Sequence, residues 1–154
     1  MPRSKRDEYR EYEEACDRIR ANNAELLQEF ETNLFQRGLA AKTVKQHVEN
    51  IAFYINEYLL YEDAIPANEG PGRVAMYLGY WFIRKAMWAS AASIRNNAAS
   101  LKKFYDFLAE RELVPVAAVQ EMKQTIKEEM KDWVATVRRY DEYDGEDGGG
   151  FWGS

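Results

Sequence analysis

The chain has 154 residues, the size of one ordinary domain, and 46% of them are hydrophobic, which is enough for a core. A single cysteine, Cys16, and a single histidine, His47, exclude an internal disulfide and a structural zinc site built from His and Cys ligands. The net charge of -5 does not favour nucleic-acid binding by the chain as a whole, and no apolar run approaches the ~20 residues of a membrane span.

The first residues and the cysteine content both bear on the compartment. Residues 1–10 are highly charged and contain no hydrophobic signal segment. Because secretion requires such a segment, and because a lone cysteine fits a reducing environment, we expect a cytoplasmic protein. Cys16 lies on a helical stripe of apolar residues, so we expect it to be a small core residue.

Hydrophobic residues recur at spacings of three and four in five segments, which predicts an all-α bundle of four to five helices without strands. The predicted helices cover residues 5–36, 41–61, 73–86, 91–111 and 116–140. We expect the first to break near Asn22-Asn23, because Asn is a poor helix former, and to end at Gly38. Ser90 is a plausible N-cap for the fourth helix, and Pro115 separates it from the fifth.

The predicted elements divide the chain into four parts. These are an N-terminal helical extension (residues 1–22), a helical core domain (23–113), a C-terminal helix packed on that core (114–140) and an acidic tail (141–154). Glycines and mutually repelling acids cannot form a core, so we expect the tail to be disordered. It is either a solubilising extension or an interaction peptide anchored by Phe151-Trp152, and its charge would also let it fold back on a basic face.

Charge is distributed unevenly along the chain. Between residues 73 and 105 there is no Asp or Glu, whereas residues 141–147 contain five acids and no base. The bases of the first segment are Arg73, Arg84, Lys85, Arg95, Lys102 and Lys103. A mildly acidic protein can bind phosphates through such a local surface, although scattered, solvated charges are the simpler explanation.

Two segments carry a family resemblance. The second helix opens with Gly38-Leu39-Ala40-Ala41-Lys42-Thr43-Val44 and continues with His47, Ile51 and Tyr54. The fourth carries Ser90, Ile94, Arg95, Leu101, Lys102, Phe104, Tyr105, Phe107 and Leu108. In this order they resemble the two signatures of the SAM-like, core-binding N-terminal domain of tyrosine recombinases and phage integrases. The resemblance covers roughly residues 26–113. Ala40 replaces the family's capping Ser, a loss of ~1 kcal/mol of helix stabilisation.

The resemblance implies a compact helical domain that clamps one side of duplex DNA through its second and fourth helices. Lys and Arg on these helices would neutralise phosphates, and short amides or hydroxyls would reach backbone oxygens or base edges. Carried over by position, the candidate DNA-binding residues are Lys42, Lys45, Gln46, Ser93, Arg95, Asn96, Lys102 and Lys103. For each basic residue taken alone, a solvated surface charge is the competing interpretation.

The catalytic half of the recombinase family has no counterpart in the sequence. The family uses a His-x-x-Arg element, but the third residue after His47 is Asn50, and only about forty residues follow Leu113. We therefore expect a non-catalytic DNA-binding module of a mobile element, with no cofactor, metal or small-molecule substrate. Duplex DNA is the expected partner, and a recombinase or a second copy of the chain is a further candidate.

Two other functions compete with DNA binding. The aromatic stripes and the charged fifth helix would also suit a helical protein-protein interaction or oligomerisation domain that binds no DNA. An enzyme using scattered carboxylates such as Glu62, Asp63, Glu128 and Glu129 is the least favoured, because acids in loops and on exposed helix faces are nearly always solvated.

Overall fold

The computed structural model describes the backbone of residues 3–152 and the side chains of residues 3–141, and this part of the chain is helical with no strand. We number five helices, two of which contain π-helical turns. They are α1 (Lys5–Gln36), α2 (Ala41–Phe53, continued by Tyr54–Tyr58 as a π-helix), α3 (Val74–Met76, then Tyr77–Trp81 as a π-helix, then Phe82–Lys85), α4 (Ala91–Glu110) and α5 (Val116–Trp152). Among these residues, no helix is both long and apolar enough to cross a membrane.

Helix α1 is continuous, so the predicted break at Asn22-Asn23 is wrong. The side chain of Asn23 is fully buried, and its Nδ2 donates to the carbonyl oxygen of Ile55 at 3.2 Å and to Oδ1 of Asn56 at 2.9 Å. These tertiary hydrogen bonds outweigh the low helix propensity of Asn. The predicted end is confirmed, because Gly38 follows the helix with φ +87°, which favours glycine.

The π-helical turns bring large aromatic side chains into the core. Tyr54 and Tyr77, one from each turn, are fully buried with their ring centroids 4.7 Å apart. The Tyr54 hydroxyl donates to the carbonyl oxygen of Gly70 at 2.6 Å, and that of Tyr105 donates to the carbonyl oxygen of Ala67 at 2.8 Å. These two hydrogen bonds hold the loop between α2 and α3 against the core.

Helix α4 lies at the centre of the bundle and contacts all four other helices. Its apolar stripe is buried over its whole length, and Phe104 and Phe107 pack on Phe30 of α1 with ring centroids 5.2 and 5.6 Å apart. Ser90 caps the helix as predicted. Since α4 is buried on three sides, only one stripe of its surface is free to meet a partner.

Helix α5 begins at Val116, as the sequence indicates, but does not end near residue 140. Its backbone continues to Trp152, whereas the sequence predicts a disordered tail over residues 141–154. A formed helix gains one backbone hydrogen bond for each residue added, so it extends through segments of low propensity more easily than it nucleates there. Residues 153–154 and the side chains of residues 142–152, with the predicted Phe151-Trp152 anchor and its fold-back, lie outside the described part.

Candidate nucleic-acid interface

A buried polar cluster joins α2 to α4. The Ser100 hydroxyl donates to the carbonyl oxygen of Asn96 at 3.1 Å and accepts from Nδ2 of Asn50 at 3.0 Å. Nδ1 of His47 lies 2.7 Å from the hydroxyl oxygen of Ser100. Because the hydroxyl proton is already donated, we assign Nδ1 as the protonated nitrogen of a neutral imidazole. Burial, and secondarily the ammonium of Lys103, lower the pKa of His47 below its usual 6.5 and favour this neutral form.

The cluster holds α2 and α4 side by side, and their exposed edges form a groove of about 310 Å³. Four amide side chains line it, together with three aromatic residues, Glu49 and Ser93. Gln46 and Asn50 come from α2, Asn96 and the buried Asn97 come from α4, and the half-exposed Trp88 is one of the aromatic residues. Two residues predicted from different signatures, Gln46 and Asn96, therefore lie at one surface feature. We call it the amide groove.

The predicted bases on α2 divide into two positions. Lys42 lies one turn before Gln46 on the same row of the helix and is exposed. Lys45 is two residues from His47, which puts it on the far side of α2 from α4. Its ammonium lies 3.9 Å from a carboxylate oxygen of Glu49, itself a wall residue of the amide groove. Lys45 is therefore the weakest of the predicted phosphate contacts.

Ser93 differs from the other predicted residues because its hydroxyl already serves the fold. Its Oγ accepts from the backbone N–H of Ser90 at 2.8 Å, while Oγ of Ser90 accepts from the Ser93 N–H at 3.0 Å. This reciprocal capping box satisfies the first turn of α4. The side chain is half-buried at the end of the amide groove, so its bonds favour a structural role over DNA contact.

The exposed stripe of α4 carries the remaining predicted residues in two rows. Arg95 and Lys102 form one row, and Asn96 and Lys103 form the next, because residues seven apart share a helix face. No acid occurs on α4 before Asp106. Both acids of α4, Asp106 and Glu110, are paired: Lys123 Nζ lies 2.7 Å from a carboxylate oxygen of Asp106, and Arg37 contacts a carboxylate oxygen of Glu110 at 2.7 Å.

Arg95 faces a second groove, between α4 and α5, of about 440 Å³. Three basic residues of α5 line it together with Arg95, and Met130, Val134 and Ala135 are its other lining residues. These bases are Lys127, Lys131 and Arg138. Sequence reasoning did not select them as site residues, although their spacing of four and seven placed them on one row. We call this feature the basic groove.

An aromatic cleft of about 320 Å³ lies at the junction of α2 and α3, and Trp81 in its lining packs on Phe53 of the amide groove with ring centroids 5.8 Å apart. Tyr61, Met76 and Tyr80 line it and are each more than half exposed. Glu62 and Asp63, two of the carboxylates named for the enzyme hypothesis, line the cleft, as does Arg73. The cleft offers apolar contact area and mixed charge, which is typical of a surface that binds another protein.

Comparisons of the chain with protein-family models, curated proteins and solved structures find no match.

Proposed function

We propose that the protein is a non-catalytic module that binds duplex DNA through α2 and α4, in the manner of the SAM-like core-binding domain that its sequence resembles. One observation carries the proposal. The Ser100 cluster fixes α2 beside α4, so that Gln46 and Asn96 share a groove while Lys102 and Lys103 occupy the exposed stripe next to it. We also propose that the protein acts in the cytoplasm as part of a mobile element, with a recombinase or a second copy of the chain as a further partner.

The chemistry of this surface suits both parts of DNA recognition. Asn and Gln amides can pair with the N6 and N7 edge of adenine in the major groove, where one good bidentate contact discriminates by about 1–3 kcal/mol. Lys and Arg side chains on the adjacent rows can neutralise phosphates and fix the register of the helix. The major groove is about 12 Å wide and admits one α-helix, which matches the single exposed stripe of α4.

The net charge of -5 is compatible with this proposal. At physiological ionic strength exposed charges are screened over about 8 Å, so the potential at the contact surface is set by local residues. The segment from residue 73 to residue 105 contains no acid, and the acids of α4 beyond it, Asp106 and Glu110, are paired with Lys123 and Arg37. The exposed stripe of α4 up to residue 105 is therefore basic, and Glu49, the acid that lines the amide groove, lies 3.9 Å from the ammonium of Lys45.

The proposal is tested by fluorescence anisotropy with a labelled mixed-sequence duplex of about 30 base pairs. The variant Arg95→Ala/Lys102→Ala/Lys103→Ala removes three charges from α4 and is expected to lose most of the binding. A matched variant, Lys5→Ala/Arg6→Ala/Arg10→Ala, removes the same charge from exposed positions of α1 and is expected to retain it. Equal losses in both variants would show that only total charge matters, which would contradict the proposed interface.

The aromatic cleft favours the second candidate, a protein-interaction domain without a DNA role. Tyr61, Met76 and Tyr80 expose large apolar surface around it, and aromatic residues and Met are enriched in protein interfaces. Light scattering over a range of concentrations, with Tyr61→Ser/Tyr80→Ser as the variant, tests self-association through this cleft. A wild type that stays monomeric at every concentration would count against a homo-oligomer.

A further inference from the structure

The basic groove places four cations on one surface without a carboxylate among its lining residues. Arg95 comes from α4, and Lys127, Lys131 and Arg138 come from α5. The other lining residues are apolar, so they can support the aliphatic stems of the long side chains while the charged heads stay in water. The groove is therefore a strip of positive charge contributed by two helices.

The charges of α5 are sorted around its circumference. Lys131 and Arg138 lie four and eleven residues after Lys127, so the three share a row next to α4. Glu121, Glu128 and Asp132 follow the same seven- and four-residue spacing, but their row lies about a quarter of a turn or more away. The exposed surface of α5 thus has a basic row beside α4 and a mainly acidic row that also contains Arg139, seven residues after Asp132.

Among the described side chains, this basic row is not neutralised by an ion pair. None of the ion pairs among the side chains of residues 3–141 involves Lys127, Lys131 or Arg138. One turn earlier, by contrast, Lys123 is paired with Asp106 of α4. Lys127 and Lys131 are like charges at i and i+4, which destabilises a helix. A bound anion would remove this repulsion.

We propose that the basic groove binds the phosphodiester backbone of one strand of the duplex whose major groove receives α4. The inference rests on the proposed function and extends the interface to α5, which the family resemblance did not include. In this arrangement the two flanks of α4 differ in role. The amide groove on the α2 side faces base edges, whereas the basic groove on the α5 side holds phosphates and carries no sequence information.

The dimensions of the two helices agree with this arrangement. Packed helices have axes about 8–10 Å apart, and the major groove is about 12 Å wide, so a helix beside one in the groove reaches the sugar-phosphate edge. The row from Lys127 to Arg138 extends about 16 Å along α5 at 1.5 Å per residue. One strand presents a phosphate about every 3.4 Å of duplex axis, so the row can contact several of them.

The test compares the salt dependence of duplex binding in three proteins, each measured between 50 and 200 mM salt. The groove variant is Lys127→Gln/Lys131→Gln/Arg138→Gln, and the matched control is Lys5→Gln/Arg6→Gln/Arg10→Gln, which removes the same charge from α1. Each lost phosphate contact reduces the slope of log affinity against log salt by about 0.9, so three reduce it by about 2.7. When the salt concentration rises from 50 to 200 mM, the factor by which affinity falls should therefore be about 40 times smaller for the groove variant than for the wild type.

The outcomes separate this inference from the proposed function. A groove variant that keeps the wild-type slope, while the wild type binds, would overturn the inference and leave the α2–α4 interface standing. A wild type that binds no duplex at 50 mM salt would overturn both. Thermal melting by circular dichroism verifies that the variants are folded. If the triple variant is less stable, Lys131→Gln alone is expected to reduce the slope by about 0.9, and an unchanged slope would be equally contradictory.

Discussion

Ser100 provides a direct test of how α2 is held against α4. Its side chain is fully buried, and its hydroxyl serves three hydrogen bonds at once, to Asn50, Asn96 and His47. The substitution Ser100→Ala removes the common oxygen without adding volume. We expect this variant to fold with lower stability, because two side chains of α2 lose their acceptor on α4.

The size of the effect follows from the burial of each group. His47 is only 9% exposed, and a buried donor left without an acceptor costs about 1–3 kcal/mol. Asn50 is half-buried and can turn to water, so its loss is smaller. The higher helix propensity of Ala returns about 0.5 kcal/mol. The net loss is therefore about 1–2.5 kcal/mol, or about 3–8 °C in melting temperature for a chain of this size.

The assay is urea unfolding followed by circular dichroism, with Thr136→Ala as the matched control. The Thr136 hydroxyl donates to the carbonyl oxygen of Asp132 at 2.8 Å, which reproduces the bond from Ser100 to Asn96 but lacks the contacts to a second helix. The control should change stability by only a few tenths of a kcal/mol. Equal losses in the two variants would refute the conclusion that the Ser100 cluster joins the helices.

Three further predictions concern other parts of the fold. Burial lowers the pKa of His47, so below pH 6.5 the unfolded chain binds a proton at this residue more readily than the folded protein does. The contribution of neutral His47 to stability is therefore complete above pH 6.5 and is lost as the pH falls. The free energy of unfolding should drop between pH 7.5 and 5.5 more in the wild type than in His47→Gln, and parallel profiles would contradict this. Tyr105→Phe removes the hydrogen bond to Ala67 and should cost about 1 kcal/mol in urea unfolding, whereas an unchanged midpoint would show that the bond is not formed. Gly79→Ala would place a Cβ 2.7 Å from Nε1 of Trp133. The resulting overpacking costs about 1–3 kcal/mol, which should exceed the ~1 kcal/mol gain in helix propensity. The variant should therefore melt at a lower temperature than the wild type, and a more stable variant would refute this.

Local signals in the sequence were sufficient for most helix ends. Gly38 and Ser90 act through their own backbone or hydroxyl, so their effects can be recognised from the residues alone. The continuity of α1 through Asn23 could not be predicted from the sequence, because it depends on hydrogen bonds to residues more than thirty positions away. The π-helical turns at Tyr54–Tyr58 and Tyr77–Trp81 were also missed, since an apolar stripe of period 3.6 does not reveal a local change in winding.

The sequence predicts the candidate interface only in part, for the same reason. The signatures on the second and fourth helices pointed to Gln46 and Asn96, which the structure places at one groove. They also pointed to Ser93, whose capping role depends on how the turn before α4 closes. The basic residues of α5 were described only as part of a charged face, because periodicity shows which residues share a row but not which helix packs beside them. Packing of α5 on α4 adds Lys127 and its row to the surface.

The most direct measurement is the affinity of the wild-type protein for a mixed-sequence duplex as a function of salt concentration. With four predicted bases of α2 and α4 as phosphate contacts (Lys42, Arg95, Lys102 and Lys103), the slope of log affinity against log salt should approach about -3.6, and the three bases of α5 should make it steeper. Binding that is absent at 50 mM salt, or that does not change with salt, would contradict duplex recognition by this surface.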